Sequence, residues 1–264
     1  MSEPGRRAVR PAALLLGTLY TLVLLYLVLP VLIVIPLSFS SSRYLQFPPP
    51  GWSLEWYRVL LRDPQWVAAT RNSVLLGLAV APLATVVGTF AALGLVRSRF
   101  RGRALRLAFF VSPMIVPSIV LAIAVYALYT RLGLVGSAAG VILAHTVLAV
   151  PLVIVNVAAT LQRFDFTLER AAQSLGANRL QGLVRVVLPN IWPGILSGAL
   201  FAFITSFDEL VIVLFVSGRM VTIPRKIWED LIVLIEPTQA AASSVLIAVS
   251  LLVFGAFALL ARRR

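Results

Sequence analysis

The sequence predicts an all-helical bundle of six membrane spans, one domain over 1–264, with both chain ends on the cytoplasmic side. Three observations predict it. Of 264 residues 60% are hydrophobic, and the mean hydropathy of +0.96 lies far above that of soluble domains. Six apolar stretches, near 12–35, 73–96, 107–129, 138–161, 194–216 and 240–260, each approach the roughly 20 residues that a bilayer core requires. Basic residues are divided unevenly around them, roughly fifteen on the side holding both ends against about eight on the other, which marks the richer side as cytoplasmic. In lipid each segment must satisfy its own backbone groups, so helices follow.

The first span comes after Arg6, Arg7 and Arg10 without a small-residue cleavage site, so it reads as a retained anchor. Outside it, Phe47-Pro48-Pro49-Pro50-Gly51 forms a stiff turn, and Trp52, Trp56, Tyr57 and Trp66 follow. These suit a short amphipathic helix on the outer surface, with a ligand cage as the alternative. Span two opens with Arg71-Asn72-Ser73 and is rich in Gly and Ala, which permit close helix approach in lipid. Pro113 and Pro117 predict a kink or interruption in span three, read either as part of a gate or as a static bend. His145 and Pro151 lie in span four; without a cysteine or nearby carboxylate the histidine suits a hydrogen bond between helices better than a metal. The outer loop 217–237 carries PRKIWEDLIVLIEP. There Ile227, Leu231, Leu234 and Ile235 share one helical face and Lys226, Glu229 and Asp230 point away. This is a surface or re-entrant helix that either anchors at the interface or receives a soluble partner from outside.

Between spans four and five, residues 165–189 predict a cytoplasmic hairpin of helices. Thr167 is placed to cap the first helix, Glu169 to sit in its first turn, and Leu168, Ala171, Ala172 and Leu175 to form one apolar face. Gly176 supplies a left-handed exit and Asn178 a second cap. Leu180, Leu183, Val184 and Val187 then recur at helical spacing, and Pro189 closes the pair. Such a hairpin either plugs into a partner or lies on anionic headgroups through Arg163, Arg170, Arg179 and Arg185.

Asp208 and Glu209 are the costly feature of span five. Rising about 1.5 Å per residue from Gly194, Asp208 lies about 21 Å into the membrane, where a carboxylate costs roughly 2.5–3.5 kcal/mol. Neighbours on a helix point about 100° apart, so one acid can face a pathway while the other meets a neighbouring span. The alternative is a structural ion pair, with Arg71 the nearest partner by depth. As a pathway the pair suits a cation and repels an anion.

Several function classes are excluded or disfavoured. The formal charge of +13 follows helix ends and not a nucleic-acid face, no cysteine supports a disulfide or thiolate, and the single lysine, Lys226, sits in the outer loop where it cannot serve a nucleotide-binding P-loop. No catalytic residue, metal site or cofactor of the chain's own is predicted. An ion-coupled carrier would show inverted repeats; an intramembrane enzyme would need a convergent nucleophile and base, for which a serine or aspartyl dyad stays open.

The spacing of Ala171-Ala172, Gly176 and Leu188-Pro189 resembles the EAA loop of permease subunits in binding-protein-dependent ABC importers. In the usual pattern a glutamate directly precedes the alanines; here Arg170 holds that place and Glu169 lies one residue earlier. The resemblance implies a type I importer permease fold in a bacterial inner membrane. It implies contact with the ATPase through Glu169, Arg170, Ala171, Ala172, Gly176, Leu188 and Pro189. The stretch around Asp208-Glu209, with Ile223-Pro224-Arg225-Lys226-Ile227-Trp228 and Pro237-Thr238-Gln239-Ala240-Ala241, is similar to spermidine/putrescine permeases. That similarity implies a substrate pathway at Asp208 and Glu209, a second related permease subunit, two ATPase subunits holding ATP and magnesium, and an extracytoplasmic binding protein that delivers cargo. Ferric ion or another small solute is the alternative cargo.

Overall fold

Why the helices start and stop where they do decides the position of every candidate residue. The computed structural model describes residues 11–97 and 102–262. Among the described residues five helices are long and apolar enough to cross a membrane, and a sixth apolar segment is a pair of helices bent sharply at a short break, the form of a broken span or of a re-entrant loop. In chain order they are α1 (Pro11–Ser38), α2 (Glu55–Arg62), α3 (Pro64–Arg97), α4 (Arg103–Ile115), α5 (Ser118–Leu132), α6 (Ala138–Arg163), α7 (Thr167–Ser174), α8 (Arg179–Gly182), α9 (Leu188–Phe207), α10 (Val211–Val216), α11 (Ile223–Val233) and α12 (Pro237–Arg262). A π-helical turn, Leu183–Val187, joins α8 to α9.

The core is the triangle of α3, α6 and α9. Val80, Ala84 and Ala92 of α3 meet Val153, Ile154, Val157 and Leu161 of α6 and Ile191 and Ala202 of α9, all buried. Lipid is as apolar as these side chains, so close packing and not water exclusion holds the triangle together. Glycine provides the clearance. A Cβ at Gly88 would lie 2.6 Å from Val153 Cβ, and one at Gly198 would lie 3.1 Å from Val153 Cα, so both neighbours of α6 approach it over the same valine. α1 lies against α12 and is otherwise exposed along Leu15–Leu29.

One expected break is present and two expectations change. The third span is two helices, α4 and α5, bent by 98°, an interruption of the kind that Pro113 and Pro117 predict. Val116 is extended ahead of Pro117, the conformation that a following proline favours, and Pro117 donates no backbone hydrogen bond. The fifth span is not continuous over 194–216: α9 ends at Phe207 and α10 begins at Val211. Nor does Pro189 close the hairpin. It occupies the start of α9, and 179–207 forms one rod. Leu188 N–H donates to Leu183 O, five residues back; the wider turn makes room for the proline ring without a break.

The outer segments also differ from the pattern. Trp56 is buried and donates from Nε1 to Ser40 O at 2.7 Å, while Tyr57 Oη lies 2.7 Å from Ser38 Oγ, so α2 is tied to the end of α1. Trp66 is buried at the start of α3, whereas Trp52 is exposed. In α11 both stripes are partly covered: Ile227 packs against the cluster of Leu60, Trp66 and Phe207, and Lys226 and Asp230 are half-buried as well. Lys226 Nζ pairs with Asp230 at 2.6 Å and lies 5.5 Å from the Trp66 ring centre, leaving Leu231, Leu234 and Ile235 exposed. Its charge is met by a carboxylate and an aromatic face.

Candidate functional site

The predicted site residues occupy the two ends of the 179–207 rod. At the cytoplasmic end, the cap of α7 is Asp165 and not Thr167, which is the first helical residue. Asp165 accepts from Thr167 N–H at 2.9 Å and from Thr167 Oγ1 at 2.6 Å, and these bonds hold its carboxyl below the usual range. Gly176 leaves the helix at φ +96°, a conformation that a side chain would strain. Asn178 and Gln181 then form a reciprocal capping box, Gln181 N–H to Asn178 Oδ1 at 2.8 Å and Asn178 N–H to Gln181 Oε1 at 2.9 Å.

Glu169 is turned inward. It is 8% exposed, accepts from Arg97 Nη2 at 2.9 Å, and has Gly182 packed against it, where a Cβ would lie 3.3 Å from Glu169 Cγ. The Arg97 guanidinium also lies 5.6 Å from the Phe166 ring centre. The hairpin is thus pinned to the cytoplasmic end of α3, 72 residues earlier in the chain. Arg170 and Ala171 are exposed, Ala172 is half-buried, and Leu168, Leu175, Leu180 and Val184 present bare apolar surface. Arg97, Glu169, Arg170, Gln173 and Arg179 border a cleft of about 520 Å³. Leu188 is half-buried and Pro189 exposed. No local pattern in the sequence announces Arg97 or its distant partner.

At the other end, Asp208 and Glu209 stand in the break and not one after the other on a helix. Asp208 ends α9, its N–H donating to Ile204 O at 3.0 Å, and its side chain is exposed. Glu209 is half-buried and its Oε1 accepts from Ile212 N–H at 2.9 Å, supplying the first turn of α10. Among the described residues the ion pairs are Arg97–Glu169, Arg225–Glu229 and Lys226–Asp230. Arg71 therefore does not pair with either acid.

The break is braced on both sides. His145 Nδ1 lies 2.9 Å from Ser206 Oγ, linking α6 to the last turn of α9. Beyond α10, Gly136 N–H donates to Val216 O at 2.8 Å, and a Cβ at Gly218 would lie 2.7 Å from Gly136 Cα, a crossing that two glycines allow. Arg225 Nη1 donates to Ser217 Oγ and Gly218 O, each at 2.7 Å. Asn72 Nδ2 donates to Val221 O at 2.8 Å, and Ser73 Oγ accepts from Ile223 N–H at 2.9 Å. These polar side chains fix an irregular backbone that would otherwise be short of partners at this depth. Among the described residues no group of three or more His, Cys, Asp or Glu is placed to hold a metal ion.

The arrangement can transmit displacement along a rod that starts in a rigid, partly apolar knuckle and ends beside an unpaired carboxylate. Known proteins resemble the chain in sequence and in fold. The sequence profile of the family described as the inner membrane component of binding-protein-dependent transport systems matches residues 84–264. The chain is 32% identical over 94% of both chains to the spermidine/putrescine transport system permease protein PotC of Escherichia coli (strain K12). It is 34% identical to the putrescine transport system permease protein PotI of the same organism, over 90% of this chain and 87% of that one. It is 28% identical to the trehalose transport system permease protein SugB of Mycobacterium tuberculosis over 90% of each. The fold matches a chain of a bacterial ABC transporter importing the acidic polysaccharide alginate, with TM-score 0.68, 15% identity and 99% of each chain covered. It also matches the MetNI methionine ABC transporter, with TM-score 0.63, 18% identity, and 80% of this chain and 98% of that one covered.

Proposed function

The chain belongs to the family of inner membrane components of binding-protein-dependent transport systems, and from that premise we propose that it is the permease subunit of an ATP-driven importer of spermidine, putrescine or a related small organic cation. It is a multi-pass transporter component of the inner membrane.

The observation that carries the cargo class is the exposed Asp208 carboxylate at a helix break within an otherwise apolar span, with no ion-pair partner among the described residues. A carboxylate at membrane depth needs water or a cation, and broken helices are tolerated there when they line a cavity. The polyamine permeases named among the relatives support the same class.

Energy enters through a partner. The hairpin 165–189 receives the ATPase on the face bearing Arg170, Ala171, Leu175 and Leu180, and two ATPase subunits supply ATP and magnesium. Glu169 is committed to Arg97, which makes Arg170 the charged contact on the open face. Gly176, Leu188 and Pro189 set the angle between knuckle and rod. Twenty-nine residues of 179–207 carry the movement about 43 Å to Asp208. A second related permease subunit completes the pathway, and an extracytoplasmic binding protein delivers the cation.

Reconstitution tests the reading. Proteoliposomes holding this chain, its companion permease and ATPase, supplied with the binding protein, are expected to move labelled spermidine with ATP. The chain alone is expected to hydrolyse no ATP above background. Transport of another solute in place of polyamines, or turnover by the isolated chain, sinks it.

A further inference from the structure

The cleft beside the hairpin carries more positive charge than this chain balances. It is a space of about 520 Å³ bordered by Arg97, Phe166, Glu169, Arg170, Gln173 and Arg179. Arg97 and Glu169 neutralise one another at 2.9 Å. Arg170, Gln173 and Arg179 are exposed, and neither Arg170 nor Arg179 pairs with an acid among the described residues. Each guanidinium offers five N–H donors and no acceptor, and the Gln173 amide adds two donors more. A rim of this kind matches a partner rich in acceptors and negatively charged.

The chain has no acid to spare for it. Of ten Asp and Glu, Glu55, Asp63, Glu229, Asp230 and Glu236 lie in the outer segments, and Asp208 and Glu209 stand at the break. Glu169 is paired and Asp165 caps α7. The remaining one, Glu3, lies outside the described residues.

Lipid headgroups are out of reach. The rod 179–207 is about 43 Å long, against about 30 Å for a hydrocarbon core and roughly 5–8 Å for each headgroup layer. With Asp208 anywhere inside the core, and the rod tilted by about 20°, Arg179 stands at least about 10 Å below the inner edge of the core. That is past the headgroups and in water, where the counter-charge comes from a soluble partner.

We propose that an acidic segment of the ATPase enters this cleft and sets an aspartate or glutamate between Arg170 and Arg179, with the Gln173 amide as a further donor to it. This inference rests on the reading of the hairpin as the seat of the ATPase. Leu175 is 90% exposed and Leu180 68%, so the mating surface is apolar beside its acid, and apolar surface set with arginine is the make-up of a protein interface. The sign of the charge then sets partner choice, because an ATPase with a basic residue at that point is repelled.

The single lysine, Lys226, lies in the outer loop, so a zero-length cross-linker can be made selective. The carbodiimide EDC joins an amine to a carboxylate that it touches and leaves arginine unreacted. In phosphatidylcholine nanodiscs holding this chain and its companion permease, with ATPase added, R170K and R179K are each expected to give a cross-link to an Asp or Glu of the ATPase that the wild type lacks. Capture of the ATPase by R170Q/R179Q is expected to weaken about tenfold, the loss of two partly exposed charge pairs, with a shallower salt dependence. The two lysine variants should capture it within about threefold of wild type. The acidic partner is overturned by a captured ATPase that gives no new cross-link with either variant, by a cross-link that ends at Glu3 of this chain, or by undiminished capture with R170Q/R179Q. Wild-type capture that requires phosphatidylglycerol in the disc overturns it as well, since the arginines would then serve headgroups. If the wild type captures no ATPase in either lipid, the hairpin reading falls and this inference with it, whereas capture indifferent to the arginines removes this inference alone.

Discussion

The hairpin and the helix break stand at opposite ends of one rod and treat their acids in opposite ways. Glu169 is shut against Arg97 at 2.9 Å and covered by Gly182. Asp208 is open, and among the described residues it has no ion-pair partner. A neutralised, packed acid makes a joint that does not slip; an open acid at membrane depth leaves its charge for a mobile cation. In the proposed function the same residue chemistry serves stiffness at one end and recognition at the other. What separates them is whether a guanidinium lies within reach.

The sharpest way to break the comparison is at the open end. Asp208→Asn removes a charge that only cargo is positioned to use. Spermidine uptake is expected to fall about thirtyfold, the equivalent of ~2 kcal/mol for one charge contact in a partly watery site. Glu209→Gln should lose much less, because an amide oxygen still accepts from Ile212 N–H. Uptake by both variants, normalised to protein level, measures the difference. Equal losses would mean that the two acids act as one unit, and unchanged uptake in both would make the break structural.

At the closed end the effect is smaller and should be repairable. Arg97→Gln leaves the buried Glu169 carboxylate unmatched and Glu169→Gln leaves the exposed Arg97 without its partner; each is expected to lower uptake, the first by about threefold to fivefold and the second by less, with capture of the ATPase retained. The exchange R97E/E169R keeps the pair and should recover most of that loss, which a direct Glu169 contact with the ATPase would not permit. Coupled ATP hydrolysis measured beside capture separates a slack joint from a lost docking surface.

Much of the hairpin was legible because its determinants are local. Gly176, Asn178 and the apolar spacing act within a few residues, and the structure puts a left-handed exit and a capping box at those positions. The cap was misplaced by two residues because Thr167 and Asp165 both qualify, and the carboxylate of Asp165 bonds both the amide and the hydroxyl of Thr167. The break was hidden. Apolar residues continue through Val211–Val216, so periodicity runs on while Asp208 and Glu209 end one helix and start another. The Arg97–Glu169 pair and the Asn72 and Ser73 staples join residues 72 to 150 apart in the chain, and no window of sequence contains both partners. In α11 the periodicity held only for Ile227, which packs inward, while Lys226 and Asp230 pair over Trp66 and Leu231 stays exposed.

The smallest expected effect lies in the cap itself and sharpens the contrast from within the hairpin. Asp165 is fully exposed and its carboxyl is held low first by the Thr167 hydroxyl and then by the Thr167 amide. A group depressed in the folded state stabilises it above its unfolded pKa and loses that contribution as pH falls through the folded one, so the cap is intact at neutral pH and fades only in acid. Asp165→Asn keeps an oxygen for the amide but loses the charge favoured at a helix start, and uptake at neutral pH is expected to change by less than about twofold. Amide exchange over 167–170 should quicken in the variant near pH 6 and should no longer show the wild-type rise in opening as pH drops below the ordinary carboxylate range. If acid loosens the variant as much as the wild type, the titrating group lies elsewhere.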